Sequence, residues 1–156
     1  MKSFTAEYPI IGQKINTAEI IAVGTELLLG QTLNTNARDI ALELSELGIS
    51  CFYQAVVGDN PELLEEVLRQ SLGRADLVIT TGGLGPTEDD ITMEISAKIA
   101  ETELVYNKEA EGWIKDIFAV LGKEPSSNNW KQALLPVKAK ILYNSAGTAP
   151  GALYQL

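Results

Sequence analysis

The stretch Leu77-Val78-Ile79-Thr80-Thr81-Gly82-Gly83-Leu84-Gly85-Pro86-Thr87-Glu88-Asp89-Asp90 constrains this chain more than any other. An apolar, β-branched run breaks off at glycines, three carboxylates follow, and residues 91–100 resume with helical spacing. That order predicts a buried strand, a turn whose backbone can approach a ligand closely, and a helix start whose free N–H groups favour anions. Two similar units precede it. Residues 18–23 are an apolar run ending at Gly24, and Asn36 is the expected cap of a helix with Ile40, Ala41, Leu44 and Leu47 on one face, stopped by Gly48. Residues 49–57 read as a second, buried strand. Asn60 and Pro61 then serve as N-cap and first-turn residues of a helix burying Leu64, Val67, Leu68 and Leu72, ended by Gly73. Strands alternating with helices at these spacings specify an α/β fold with a parallel sheet and right-handed crossovers. Ligands in such sheets sit at the C-terminal ends of the strands, so the Gly24-Thr25-Glu26 and 82–90 loops fall on one edge with a crevice between them.

The glycine loop matches neither common nucleotide motif. A Walker loop needs Lys-Ser/Thr after its glycines, and a dinucleotide fingerprint needs a glycine where Glu88 stands. Glu88, Asp89 and Asp90 would repel a phosphate unless a divalent cation or positive side chains lay between, which points to metal-assisted pyrophosphate chemistry. A purely structural alternative is a capping box in which Thr87 caps the helix, Asp90 reaches back and the three acids complement the helix dipole. It accounts for the acids but not for the three glycines.

Composition narrows the partners. With 156 residues, 46% of them hydrophobic, the chain suits one domain with a real core. Twenty-one acidic against 12 basic residues give a net charge of −9, which argues against a nucleic-acid or anionic-membrane surface and for a small-molecule partner. No apolar stretch approaches a membrane span and the N-terminus lacks a signal-peptide core, so a cytoplasmic location is expected. One cysteine and no histidine exclude an internal disulfide and zinc sites built from several Cys or His ligands. Any metal must be oxygen-ligated, acid–base work falls to Asp, Glu, Lys or Tyr, and Cys51 is a packing residue.

The later third is less regular. Residues 108–121 place Trp113, Ile114, Ile117, Phe118 and Leu121 at helical spacing as a packing stripe, although such a stripe can also serve an interface. A Pro/Ser/Asn-rich loop covers 123–130, a short helical turn 131–135 ends at Pro136, and residues 141–143 read as a strand. A small-residue turn over 144–151 leads to a last strand at 152–156. Residues 1–17 show no sustained period and read as an N-terminal extension.

Several separate segments now add up in order: Ala18-Glu19-Ile20-Ile21-Ala22-Val23-Gly24-Thr25-Glu26-Leu27-Leu28, Asn34-Thr35-Asn36, Val57-Gly58-Asp59, residues 81–90, Asn129 with Lys131-Gln132-Ala133, Pro136, and Asn144 with Gly147-Thr148-Ala149-Pro150-Gly151. From residue 18 to the chain end they resemble the N-terminal domain of the CinA (competence/damage-inducible) family. The Gly-Gly-Leu-Gly loop alone would indicate only the broader molybdopterin-binding, MoaB/MogA-like superfamily. The resemblance implies a three-layer sandwich with a mostly parallel sheet. It also implies ADP-ribose pyrophosphatase activity dependent on a divalent metal, Mg²⁺ or Co²⁺, and on K⁺, releasing AMP and ribose 5-phosphate. Homo-oligomers are usual in that family. Nothing matches the nicotinamide-mononucleotide deamidase domain that often follows, so no deamidase activity is expected. The family's domain continues into another strand, a Leu-Pro-Gly-Val-Pro turn and a helix that this sequence lacks, so residues 18–156 read as a domain truncated at its C-terminus.

Residue roles follow from the loop chemistry and the resemblance together. Asp89 and Asp90 are the candidate metal ligands, with Asp90 also the leading catalytic residue. Backbone N–H groups of Gly82, Gly83 and Gly85 would hold phosphate oxygens, and Thr87 would add a hydroxyl donor. Glu26 is a second ligand, a general base or a solvated loop acid; Lys131 is a phosphate clamp or a solvated lysine. Asn34, Asn36 and Asn144 contact ribose or base, or act as caps and turn formers. Asp59 reaches the crevice or caps the next helix. The rival functions are a molybdopterin or nucleotide binding domain of molybdenum-cofactor assembly and a non-catalytic regulatory or oligomerisation module.

Overall fold

The computed structural model describes residues 14–156. Strand β1 (Thr17–Val23) lies between β2 (Ser50–Val57) and β3 (Leu77–Thr81), and both neighbours run parallel to it. Successive side chains of β1 point to opposite faces. Ala18 and Ile20 pack on helix α2 (Thr35–Glu46) through Ala37 and Leu44. Ile21 and Val23 pack on the other face, against Leu64 and Leu68 of α3 (Pro61–Leu72) and Ile95 of α4 (Thr92–Ile99). The chain steps from β1 to β2 in one direction and back past β1 to β3 in the other. Crossovers of one hand then put α2 and α3 on opposite faces, which makes three layers. The loops after β1 and β3 both leave the C-terminal edge of the sheet, where the end of β3 rests on the end of β1. No residue of the 24–26 loop lines the pocket beside the second loop, so the crevice expected between the two loops is corrected.

The expected strands and helices up to residue 99 are present, with four corrections. Strand β2 is an edge strand, not a buried one: Phe52 is 74% exposed, and Cys51 is only half-buried. The α2 cap is Asn34, whose Oδ1 accepts the Ala37 N–H at 3.2 Å, not Asn36. Leu47, Leu72 and Leu121 are exposed because each sits at or just past a helix end, where the apolar face has turned away. The loop acids do not cap α4, which begins at Thr92 with no side-chain cap. Asn60 and Pro61 open α3 as expected, Asn60 accepting the Leu63 N–H at 2.9 Å.

The remainder forms a flank beside the loop edge. A three-residue strand β4 (Leu104–Tyr106), absent from the sequence reading, pairs antiparallel with β5 (Leu134–Pro136). The turn expected over 131–135 is the end of a 3-10 helix (Ser127–Ala133) running directly into β5. Helix α5 (Lys108–Val120) buries Ala110 and Ile114 against Ala133 and Leu135, with Trp113 and Phe118 alongside. Trp113 also meets Tyr143 edge-on, at 5.1 Å between ring centroids, so this stripe is core. Strand β6 (Lys140–Leu142) forms an antiparallel pair with β7 (Gly151–Leu153), two residues shorter than the terminal strand expected. The extension expected over 1–17 lies mostly outside the described residues; within them, Thr17 opens β1 and the Asn16 and Thr17 N–H groups bond to the Asp76 carboxylate.

Candidate functional site

The chain leaves β3 through two glycines in the left-handed region, Gly82 (φ 90°) and Gly83 (φ 61°). At Gly82 a side chain would place its Cβ 2.1 Å from the Val23 carbonyl oxygen, so β3 ends in direct contact with the end of β1. A Cβ on Gly83 would lie 2.4 Å from the hydroxyl of Thr92. Thr92 holds this turn from the first residue of α4: its hydroxyl donates to the Gly82 carbonyl at 2.8 Å and its N–H to the Gly83 carbonyl at 3.0 Å. The third glycine answers a different need. The Asp90 carboxylate occupies the space beside Gly85, 2.5 Å from where a Cβ would sit.

Asp90 closes the loop on itself. Its Oδ2 accepts the Thr87 N–H at 2.9 Å and the Thr87 hydroxyl at 2.6 Å. Burial pushes this carboxyl up. The Thr87 hydroxyl, the Thr87 and Gly85 N–H groups and the nearby Lys131 ammonium outweigh it and hold the group below the ordinary aspartate value. The Thr87–Asp90 pairing foreseen as a helix cap thus exists, but it staples the loop ahead of the helix.

Lys131 arrives from the 3-10 helix. Its ammonium donates to the Thr87 and Asp90 carbonyls, both at 2.8 Å, and lies 3.3 Å from Glu94. Next to it, the Gln132 amide donates to the Leu84 carbonyl at 3.2 Å. A shallow pocket, open to solvent, lies between these two side chains and the Gly83-Leu84-Gly85 backbone, with Met93 and Pro150 completing its walls. Asn144 shapes the far wall by closing the 143–150 turn: it donates to the Ala149 carbonyl at 3.0 Å and accepts the Ala146 N–H at 2.9 Å.

Of the residues singled out from sequence, Gly83, Gly85, Asp90 and Lys131 line this pocket, and Gly82 and Thr87 shape it. The others stand elsewhere. Asn34 caps α2, and Asn36 donates to the Thr81 hydroxyl at 3.0 Å, tying α2 to the end of β3. Asp59 accepts the Thr25 N–H at 3.1 Å and donates its own N–H to the Thr25 hydroxyl at 3.2 Å, bracing the one-turn helix α1 (Thr25–Leu28) against β2. It does not cap α3. Glu26 is exposed on α1, its carboxylate folded back over Gly24. Glu88 and Asp89 are exposed. Among the described residues no group of three or more acidic or cysteine side chains is close enough to hold a metal ion. Sequence reasoning missed Gln132 as a site residue; its place directly after Lys131 was the signal available.

The domain that carries this loop has clear relatives. The family model described as "Probable molybdopterin binding domain" matches residues 19–155. The chain belongs to that family. It is 52% identical over 139 residues to a CinA-like protein of Nostoc punctiforme, an alignment covering 89% of this chain and 33% of that protein. The chain therefore spans about a third of the length of the curated relatives it matches. Among solved structures, the protein CinA from Thermoplasma acidophilum matches with a TM-score of 0.78 at 35% identity, covering 88% of this chain and 80% of the other. This places the domain on the CinA-like side of the family. A tungsten-cofactor-synthesising MoaB from Pyrococcus furiosus, at 23% identity and a TM-score of 0.57 over 91% and 81% of the two chains, shares the fold. No helix among the described residues is long and apolar enough to cross a membrane.

Proposed function

We propose that the 82–90 loop and its pocket bind the phosphates of a nucleotide sugar and that this domain hydrolyses the pyrophosphate, with ADP-ribose yielding AMP and ribose 5-phosphate. The observation that carries the reading is the Lys131 ammonium, fixed at 2.8 Å on two loop carbonyls beside the Gly83-Leu84-Gly85 backbone. A positive charge is thereby pinned where phosphate oxygens would meet backbone donors. Two of its three protons are committed to carbonyls; a phosphate oxygen competes with Glu94 for the third. The reading assigns the ligand's backbone donors to Gly83 and Leu84, which line the pocket, because the Gly85 N–H is turned to Asp90. The choice of pyrophosphate hydrolysis over simple binding rests on the activity that the CinA-family resemblance of the sequence implies; the family description itself points to molybdopterin binding.

The donor set does not fit a metal held by protein alone. A cation that arrives on the substrate, held mainly by phosphate oxygens with a loop carboxylate beside them, is the arrangement Mg²⁺ usually takes. When bound there the cation would neutralise charge on the phosphoryl oxygens, which one ammonium among four carboxylates cannot do. Asp90 lines the pocket with its Oδ2 engaged by the Thr87 N–H and hydroxyl, so a ligand role there would fall to Oδ1, with Asp89 as the second candidate. Asp90 also keeps the loop in its binding shape.

The test is AMP release from ADP-ribose in the presence of K⁺ with Mg²⁺ or Co²⁺, for the wild type, Asp89→Asn and Lys131→Met. Loss of AMP in both variants supports the reading. Retention of molybdopterin without any AMP release would favour the cofactor-assembly role, to which the family description also points.

A further inference from the structure

Gln132 carries an unfilled valence. The residue is 7% exposed and lines the pocket, and its Nε2 is used on the Leu84 carbonyl. Its Oε1 is the one buried side-chain N or O atom among the described residues with no hydrogen-bond partner. A buried amide oxygen left unpaired costs free energy, and exceptions of this kind call for an explanation. The donation to Leu84 fixes which end of the amide faces the free position. The pocket that Gln132 lines also presents the apolar side chains of Met93, Leu134 and Pro150 and the charged Asp90 and Lys131.

An amide oxygen accepts and never donates, so it discriminates ligands by whether they bring an N–H or O–H to that point. We propose that Gln132 is a specificity-determining residue of this site, whose free Oε1 accepts a hydrogen bond from a neutral donor on a nucleotide ligand. The donor is either an exocyclic amine of the base or a ribose hydroxyl. The phosphate, which has no donor to give, lies instead against the loop backbone and Lys131. This rests on the nucleotide reading of the pocket and adds to it the feature by which the ligand is selected. A site built to pair a ligand donor rejects the analogue lacking it more strongly than one that only adds contact area, because the acceptor is then left buried and unpaired.

The experiment is calorimetric binding of AMP, purine riboside 5′-monophosphate, 2′-deoxy-AMP and 3′-deoxy-AMP to the whole chain. It is run for the wild type, Gln132→Leu and Gln132→Glu, with thermal unfolding confirming that each variant is folded. The wild type should bind one of the three analogues about 10-fold or more weakly than AMP. Loss of preference for the base amine identifies the base as the source, and loss for a deoxy compound identifies the ribose. Gln132→Leu should bind AMP and that analogue equally. Gln132→Glu, which keeps an acceptor but cannot serve Leu84, should retain the preference, and so separates the role of Oε1 from that of the loop contact. Equal binding of all four ligands by the wild type, or an unchanged preference in Gln132→Leu, overturns the inference. Wild-type chain that hydrolyses ADP-ribose yet shows no such preference would leave the pyrophosphatase reading standing and remove this one. No binding of any of the four removes both.

Discussion

Replacing Gly82 with alanine separates two explanations for the glycine loop. If the glycine serves ligand approach alone, the substitution spares the fold. The geometry says otherwise: the added Cβ would sit 2.1 Å from the Val23 carbonyl oxygen, a backbone atom of the central strand, at a φ of 90°. A left-handed backbone costs a residue with a Cβ about 1–2 kcal/mol, and overpacking against an immovable neighbour adds about 1–3 kcal/mol, for a loss of roughly 2–5 kcal/mol. In a domain of this size that lowers Tm by roughly 5–15 °C. Gly48→Ala is the internal control, since Gly48 has a φ of 72° and nothing within 4 Å of its missing Cβ. It should lose only the conformational part, about 1–2 kcal/mol. Urea unfolding of both variants at one pH reads the difference. Equal losses in the two would refute the argument that β3 ends against β1.

Two further outcomes test other parts of the fold. Glu19, with a side chain 1% exposed, is held below the ordinary glutamate value by hydrogen bonds from Arg74, at 2.6 and 2.8 Å, and Ser71, at 2.7 Å, which outweigh its burial. Its contribution is therefore present above the unfolded-state pKa of about 4.3 and is lost as pH falls through the folded value. Glu19→Gln should narrow the gap in Tm between pH 7 and pH 3.5, while an unchanged gap would assign the acid sensitivity to other carboxylates. Asn34→Ala should lower stability by about 1 kcal/mol through loss of the α2 cap, and Asn36→Ala by less, because Asn36 only links two exposed groups. The reverse order in urea unfolding would restore Asn36 as the cap.

What the sequence disclosed and what it hid have separate physical causes. Helices α2 to α4 and strands β1 to β3 were legible because their periodicity and stop residues are local. That β2 is an edge was not, since its run of apolar residues looks the same whether one or two strands flank it, and only the β2-β1-β3 order decides. The cap of α2 was displaced by two residues because Asn34 and Asn36 flank the same helix start with equal chemistry. Three-residue strands such as β4 exist only through pairing with β5, some 30 residues away, and leave no periodic trace. The glycine loop was recognisable as a turn at a strand end. The reason for each glycine, a carbonyl of β1, a hydroxyl of α4 and the Asp90 carboxylate, required the packed structure. Lys131 meets the loop across 41 residues of sequence, a distance no local pattern encodes, and its pairing with loop carbonyls went unforeseen.

The most direct measurement on the central claim is the change in backbone amide NMR shifts when AMP is titrated into the ¹⁵N-labelled chain. The account predicts the largest shifts at Gly83, Leu84, Lys131 and Gln132, with Gly48 and the exposed edge of β2 unmoved. Saturable shifts centred on α1 or β2 with the 83–85 amides silent would contradict it, and so would no shifts at all.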